Sequence, residues 1–187
     1  MLLPLFLAAS ALCGVEDPEK LRILTYNIHH GEGSDGQFHL DRIVEIIRAQ
    51  APHVVCLQEV DRGLPRTQHL DLPALLAQKL DMEVRFHSNY NFDGGEYGNA
   101  TLTRLPILAT EHQPLPRHED REPRGVLRLT LQWQHQEIDV YNTHLGLVPE
   151  ERLAQAHALL AMLGNRPAIL CGDLNETPSA PAVNLLK

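Results

Sequence analysis

The sequence predicts a layered α/β sandwich folded as one domain. Three observations carry that expectation. Strand-like and helix-like segments alternate near both ends of the chain. Between them, residues 98–144 hold consecutive strand candidates with no helix among them, which argues for packed layers rather than a simple doubly wound sheet. The chain has 187 residues, 43% of them hydrophobic and 21% charged, a globular composition large enough for one domain with a real core. No internal repeat, linker or low-complexity tract divides it.

The elements follow in order. The first twenty residues begin MLLPLFLAASALCG, largely apolar from Leu2 to Leu12 and then small. That length suits a secretory signal peptide and is too short to span a bilayer. Residues 1–20 are therefore expected to be a leader directing a secreted or periplasmic protein, although they lack a basic start. Lipid attachment at Cys13 is not expected, because Leu12 is the wrong kind of neighbour. No other segment is apolar enough to cross a membrane.

Residues 22–28 (RILTYNI) read as a strand, followed by the glycine-rich loop GEGSDG. Residues 41–49 read as a helix on the spacing of Ile43, Val44, Ile46 and Ile47, ended by Pro52. HVVCLQE is a second strand, residues 72–80 a second helix, and residues 84–87 a short strand. Residues 89–99 (NYNFDGGEYGN) read as a loop. GNATLTR, PILATEH, RGVLRLTLQW and EIDVYNTH are strands, the third alternating with Leu127, Leu129 and Leu131 on one face. That period belongs to a half-exposed antiparallel sheet. Residues 149–163 read as a helix opened by Pro149 and two glutamates and capped by Gly164. Its apolar face is Leu153, Ala156, Leu160 and Leu163. The strand AILC then leads into GDLNETP.

Charge narrows the function. The formal net charge is -8 and no two Lys or Arg residues are adjacent, so no basic stripe is available to grip a phosphate backbone. An anionic substrate would need a bound cation. Cys56 and Cys171 lie in apolar runs and read as buried thiols; a disulfide between them cannot be read from sequence. No Cys/His spacing suggests zinc.

Four apolar strands each run into a side chain that can ligate a hard cation or handle a proton. RILTYN ends at Asn27, VVCLQE at Glu59, VYNTH at Asn142 and His144, and AILCGD at Asp173 with Asn175 close behind. Taken singly, Asp173 and Asn175 fit an Asx turn as well as a site. If the strands align, their ends share one rim, where sites tend to lie. Mg²⁺ takes oxygen ligands and often only one or two carboxylates with waters. Glu59 would supply one carboxylate and Asn27 an amide oxygen. Asp173 would orient a water, Asn175 hold a phosphate oxygen, and His144 donate to a phosphoryl oxygen as charge builds.

In chain order, LTYNIHHGEG, LQEVDRG, EYGNATLTRLPI, EPRGVLRLTL, VYNTHLG and LCGDLNETP resemble the endonuclease/exonuclease/phosphatase superfamily. This is the group similar to pancreatic deoxyribonuclease, sphingomyelinase and inositol-polyphosphate phosphatase. The resemblance covers residues 21–187. It implies a four-layered αββα sandwich of two packed mixed sheets and a Mg²⁺-dependent phosphoric ester hydrolase, with Mn²⁺ or Ca²⁺ as substitutes. It implies Asn27 and Glu59 at the metal and His144, Asp173 and Asn175 at the scissile phosphate. Asn99, Arg124 and Asn142 would bind substrate, with Glu96 and Tyr97 along the same side. The substrate class would be a nucleic acid, a phospholipid head group or a small phosphodiester.

One departure stands beside these matches. Family members continue into a strand carrying an Asp and a Ser-Asp-His segment, whereas this chain stops at PAVNLLK with no histidine after Asp173. The expectation is therefore a domain lacking its last strands, with an exposed β edge and impaired turnover. The alternative is a non-catalytic binding module of the same fold. A dinucleotide-binding reading fails, because the glycine spacing of GEGSDG is wrong and no helix starts directly after it.

Overall fold

The structure, a computed structural model, describes residues 20–187. The expected leader lies outside the described residues except for Lys20, and so does Cys13.

Two four-stranded sheets form the centre. The first has the order β1 (Ile23–Asn27), β2 (Val54–Arg62), β4 (Gly95–Thr103), β3 (Glu83–Phe92). The second runs β5 (Ile107–Pro114), β6 (Gly125–Trp133), β7 (Gln136–His144), β8 (Ala168–Asp173). Both are mixed. β1 and β2 are parallel, as are β7 and β8, and the remaining pairs are antiparallel. The parallel pairs are those joined by helical crossovers, α1 (Leu40–Gln50) and α3 (Pro149–Met162), as parallel pairing requires. Two shorter α-helices, α2 (Leu72–Leu80) and α4 (Pro181–Leu185), are the others among the described residues.

Two helix ends have a clear local cause. Asp71 caps α2 by accepting from the Ala74 N–H at 3.0 Å, with Pro73 in the first turn. Ala51, in the left-handed conformation with φ 43°, ends α1 just before Pro52.

Three apolar layers fix the order of the elements. Ile43, Val44 and Ile47 of α1 and Leu72 and Leu76 of α2 pack on Val55 and Leu57 of β2. On the other face of the same strand, Val54 and Cys56 meet Leu127, Leu129, Leu131 and Val140. Leu159 of α3 packs with Val126 and Tyr141 outside the second sheet. The layers are helix, sheet, sheet, helix, so the four-layered αββα sandwich is the observed fold. β2 has both faces covered, which is why VVCL reads as a continuous apolar run.

Three local readings change. Residues 89–99 are not a loop but the β3–β4 hairpin, with Tyr90 opposite Tyr97 and Asn91 opposite Glu96. The turn is Asp93–Gly94, at φ 47° and 77°, the Asp-Gly pair that tight hairpins favour. Its polar flanks hide the strands because this end of the hairpin is largely exposed. The second face of β6 is also less open than alternation suggests. Thr130 is buried and donates to the buried Asp139 at 2.7 Å.

α3 is rotated from its expected face. Leu153 and Leu163 are 38% and 41% exposed, whereas Arg152, Gln155, Ala156 and Leu159 are buried. Polar contacts set the rotation. Gln155 accepts from the Gly146 N–H at 2.8 Å and donates to the Pro116 carbonyl at 2.9 Å, and Arg152 pairs with Glu176 at 2.7 Å. The helix also ends without a left-handed cap, since Leu163 is extended.

Cys56 and Cys171 are free thiols. They interact with each other between the sheets, and that contact together with burial pushes the Cys56 thiol up.

One contact across the sheets carries a pH prediction. The rings of His87 and His112 stack with centroids 3.2 Å apart. Burial, then the His87 ring, lowers the His112 pKa from 6.5 to about 4. The folded state therefore resists a proton that the unfolded chain accepts, so this contribution to stability is full above pH 6.5 and lost between 6.5 and about 4. His112→Gln is expected to flatten the stability-against-pH curve in that window. The change is at most about 3 kcal/mol and less after solvent screening. A pH series of urea melts checks it, and an unchanged slope overturns it.

Candidate functional site

The carboxyl ends of β1, β7 and β8 meet the bulge of β2 at one rim between the sheets. His144 and Asp173 are register partners on β7 and β8. Gly172 makes that pairing possible, since a Cβ there would lie 2.1 Å from the Thr143 carbonyl oxygen. Glu59 sits in a bulge of β2, where the pairing with β4 jumps from Leu57–Ala100 to Val60–Gly98. Its φ is 57°. The extra residue breaks the alternation of β2 and re-aims the carboxylate, a common use of bulges beside sites.

Asn27 ties the two sheets together here. Its Nδ2 donates to Glu59 Oε1 at 2.7 Å and to Asp173 Oδ2 at 3.0 Å, while its Oδ1 accepts from the His29 N–H at 3.0 Å. Carboxylates only accept and a backbone N–H only donates, so this orientation is forced. The Asn27 amide oxygen, expected at the metal, is here turned to the His29 N–H. Asn27 is a donor strut between two carboxylates.

Asp173 accepts the Asn175 N–H at 2.9 Å. The stretch GDLN is thus an Asx turn and part of the rim at once. Burial alone would raise the Asp173 pKa. The hydrogen bonds from Asn27 and Asn175, with His144 and Arg124 nearby, outweigh burial and hold the carboxyl below its usual range.

Arg124, 6% exposed, lies 2.9 Å from His144 Nδ1 and 2.8 Å from Glu122. A guanidinium only donates, so His144 Nδ1 accepts and the neutral ring carries its proton on Nε2. Burial, then the Arg124 charge, lowers the His144 pKa to about 4, so the ring is neutral at pH 7. Nε2 lies 3.8 Å from Asp173 Oδ2 and 3.0 Å from Asn175 Nδ2. Asn175 Nδ2 also donates to the Leu145 carbonyl at 2.8 Å. Two donors, His144 Nε2–H and Asn175 Nδ2–H, therefore confront each other. An anionic oxygen beside the pair, accepting from both, would resolve the conflict.

Asn142 does not belong to this group, and its expected role in substrate binding is corrected. It is fully buried and accepts from Gln58 at 2.8 Å. Its Nδ2 donates to the Leu57 and Ala100 carbonyls and to Thr101 at 3.1, 2.9 and 3.2 Å. The strand alternates, so the residue two before His144 points between the sheets. Asn99, 2% exposed, donates to the Gly125 carbonyl at 3.2 Å and braces β4 against β6. Glu96 pairs with Arg62 on a half-exposed surface. Tyr97 is buried, and burial with Glu122 and Glu59 pushes its hydroxyl well above the usual range.

Residues 24–187 match the profile of the endonuclease/exonuclease/phosphatase family. The chain belongs to this family. The family generally hydrolyses phosphoester bonds with metal ions. The uncharacterized protein YbhP of Escherichia coli (strain K12) is 31% identical over 173 residues, covering 83% of this chain and 66% of that protein. A crystal structure of an endonuclease/exonuclease/phosphatase from Beutenbergia cavernae superposes with TM-score 0.73 at 28% identity. That match covers 89% of this chain and 52% of the other. The human Nocturnin catalytic domain, in a structure with a bound sulfate anion, shares the fold with TM-score 0.70 at 21% identity. It aligns with 88% of this chain, which covers 68% of it. This chain thus spans about two thirds or less of the relatives' own length.

A divalent cation fits the donors that this family member presents at the rim. Two carboxylates, Glu59 and Asp173, share one amide donor, and Glu59 is partly open to solvent. Sequence reasoning missed two neighbours of Glu59. One ring nitrogen each of His29 and His30 and a Glu59 oxygen lie within 4.8 Å of one another. His30 is buried, and burial, then Arg66, lowers its pKa. It also missed Glu122, whose pKa burial raises against the pull of Arg124. The His-His pair stood in the quoted stretch NIHHG, but its only signal was being two and three residues beyond Asn27. Among the described residues, no helix is long and apolar enough to cross a membrane.

Proposed function

We propose that the protein hydrolyses phosphoester bonds with a divalent metal, Mg²⁺ or another, by direct attack of water. The observation that carries this reading is the rim itself. An ionised carboxylate, a neutral imidazole N–H and an amide N–H converge beside a second carboxylate that is free to hold a cation. That set accepts a water proton on one side and meets a phosphoryl oxygen on the other.

Glu59, with Asp173 beside it, would hold the cation, which when bound would neutralise charge on the phosphoryl group. Asp173 Oδ2 accepts a proton from the attacking water or orients it. His144 Nε2–H and Asn175 Nδ2–H donate to a phosphoryl oxygen, and their bonds strengthen as charge develops. Arg124 acts through His144, fixing the tautomer that keeps the proton on Nε2. Asn27 holds both carboxylates in place. The chain is proposed to be exported, on the strength of its apolar start.

The test is hydrolysis of bis(p-nitrophenyl) phosphate and a panel of phosphomonoesters with Mg²⁺, Mn²⁺ and Ca²⁺, with and without EDTA. EDTA is expected to abolish turnover, and Glu59→Ala to reduce it at least about 10²-fold. Turnover that survives both treatments sinks the proposal.

A further inference from the structure

We propose that His29, His30 and Glu59 form a nitrogen-containing cation site that takes a borderline transition-metal ion, Zn²⁺ or Co²⁺, in preference to Mg²⁺. The inference deepens the phosphoesterase reading, but it concerns which ion Glu59 holds and is tested by binding.

Three side chains come together from two elements. One ring nitrogen from each histidine and one Glu59 carboxylate oxygen lie within 4.8 Å of one another, close enough for one ion to touch all three with modest side-chain movement. The histidines occupy the tight turn after β1, and Glu59 arrives from the bulge of β2. The turn is anchored to the rim, because the His29 N–H donates to Asn27 at 3.0 Å.

A separate observation points to a ligand. His30 is only 8% exposed, and its Nδ1 has no hydrogen-bond partner. A buried histidine that served packing alone would satisfy both nitrogens, since an orphaned buried polar atom costs about 1–3 kcal/mol. Its other nitrogen, Nε2, lies 3.5 Å from Glu32. A carboxylate facing one imidazole nitrogen while the other is left free is the usual support of a metal-binding histidine. The Arg66 charge disfavours positive charge at His30 and is only partly offset by Asp61, which holds the guanidinium through two bonds of 2.8 and 2.7 Å. The Glu59 carboxylate therefore has to supply the favourable charge for an ion.

The donor chemistry selects the ion. Mg²⁺ prefers oxygen and gives up water reluctantly. Imidazole nitrogen suits zinc and its neighbours, and two histidines with one carboxylate are a ligand set that leaves a position open for water or a phosphate oxygen. Glu59 would then be shared between what the rim needs and what the histidines add.

The experiment is calorimetric titration of the metal-stripped full chain with ZnCl₂ and, separately, MgCl₂. The Co²⁺-loaded protein is read by its visible d–d absorption. Zn²⁺ is expected to bind at least about 10²-fold tighter than Mg²⁺. His30→Ala and His30→Gln should each weaken Zn²⁺ at least about 10-fold, and Glu32→Gln by about 10-fold through its effect on His30. Mg²⁺ affinity should stay within threefold throughout. Co²⁺ should give the intense spectrum of four- or five-coordination, lost in the His30 variants. Circular dichroism checks that each variant is folded, and the Gln variant stands in if Ala is not. Zn²⁺ affinity unchanged in folded His30 variants, or a pale aquo-like Co²⁺ spectrum, overturns the inference. The phosphoesterase reading fails separately, if no metal supports turnover while histidine-dependent Zn²⁺ binding persists.

Discussion

Asp173→Asn is expected to slow phosphoester hydrolysis by about 10²- to 10⁴-fold, the usual cost of losing a positioned acid/base group. The change is nearly isosteric, so it isolates chemistry from packing. Asp173 uses both oxygens as acceptors, one for the Asn175 N–H and one for Asn27 Nδ2. An asparagine keeps one acceptor and can no longer take a proton. The orphaned donor should cost about 1–2 kcal/mol of stability, too little to unfold a domain of this size. Steady-state kinetics with Mg²⁺, beside a thermal melt, separates the two effects. A rate within threefold of the parent in a folded variant would remove Asp173 from the chemistry.

Asn142→Ala is expected to do the reverse, lowering stability by about 2–4 kcal/mol. Asn142 is the side chain at which both sheets are pinned. It engages Gln58 of β2, the carbonyls of Leu57 and Ala100, and the Thr101 hydroxyl, with none of its surface exposed. Truncation leaves a small void among groups that water does not reach. Chemical denaturation measures the loss. The result also decides between two roles, because a substrate-binding asparagine would raise KM and leave the melting midpoint where it was.

Local physics made much of the fold readable. The helix over residues 72–80 coincides with α2 because its signals are local: Asp71 as cap, Pro73 in the first turn and Leu72, Leu76 and Leu80 on the buried face. The strands came through for the same reason, as short apolar runs ending at turn residues. The readings that changed depended on partners distant in the chain. The NYNFDGGEYGN stretch became a hairpin because strand pairing outweighed its polar composition. α3 turned Arg152 and Gln155 inward because Glu176, Pro116 and Gly146 wait there, and none of these contacts has a periodic trace.

The candidate site divides along the same line. That Asn27, Glu59, His144 and Asp173 would gather at one rim was legible, since each follows an apolar run; that β2 continues past Glu59 to Arg62, with Glu59 in its bulge, was not. How each side chain is used was not. Asn27 turned its nitrogen to the carboxylates because two acceptors and one backbone donor surround it. Asn142, two residues from His144, went to the inter-sheet layer because alternation along β7 sends it there.

By itself, the sequence determined most of the order of the elements, the apolar faces of α1 and α2, and the residue types that follow four apolar runs. These follow from propensity and period, which act over a few residues. Only the tertiary structure decided which of those residues share hydrogen bonds, which tautomer His144 holds, and that His29 and His30 stand beside Glu59. Those outcomes depend on the bulge in β2, on the closeness of β8 to β7 at Gly172, and on donors and acceptors matched across as many as 146 positions of chain. No local rule reaches that far.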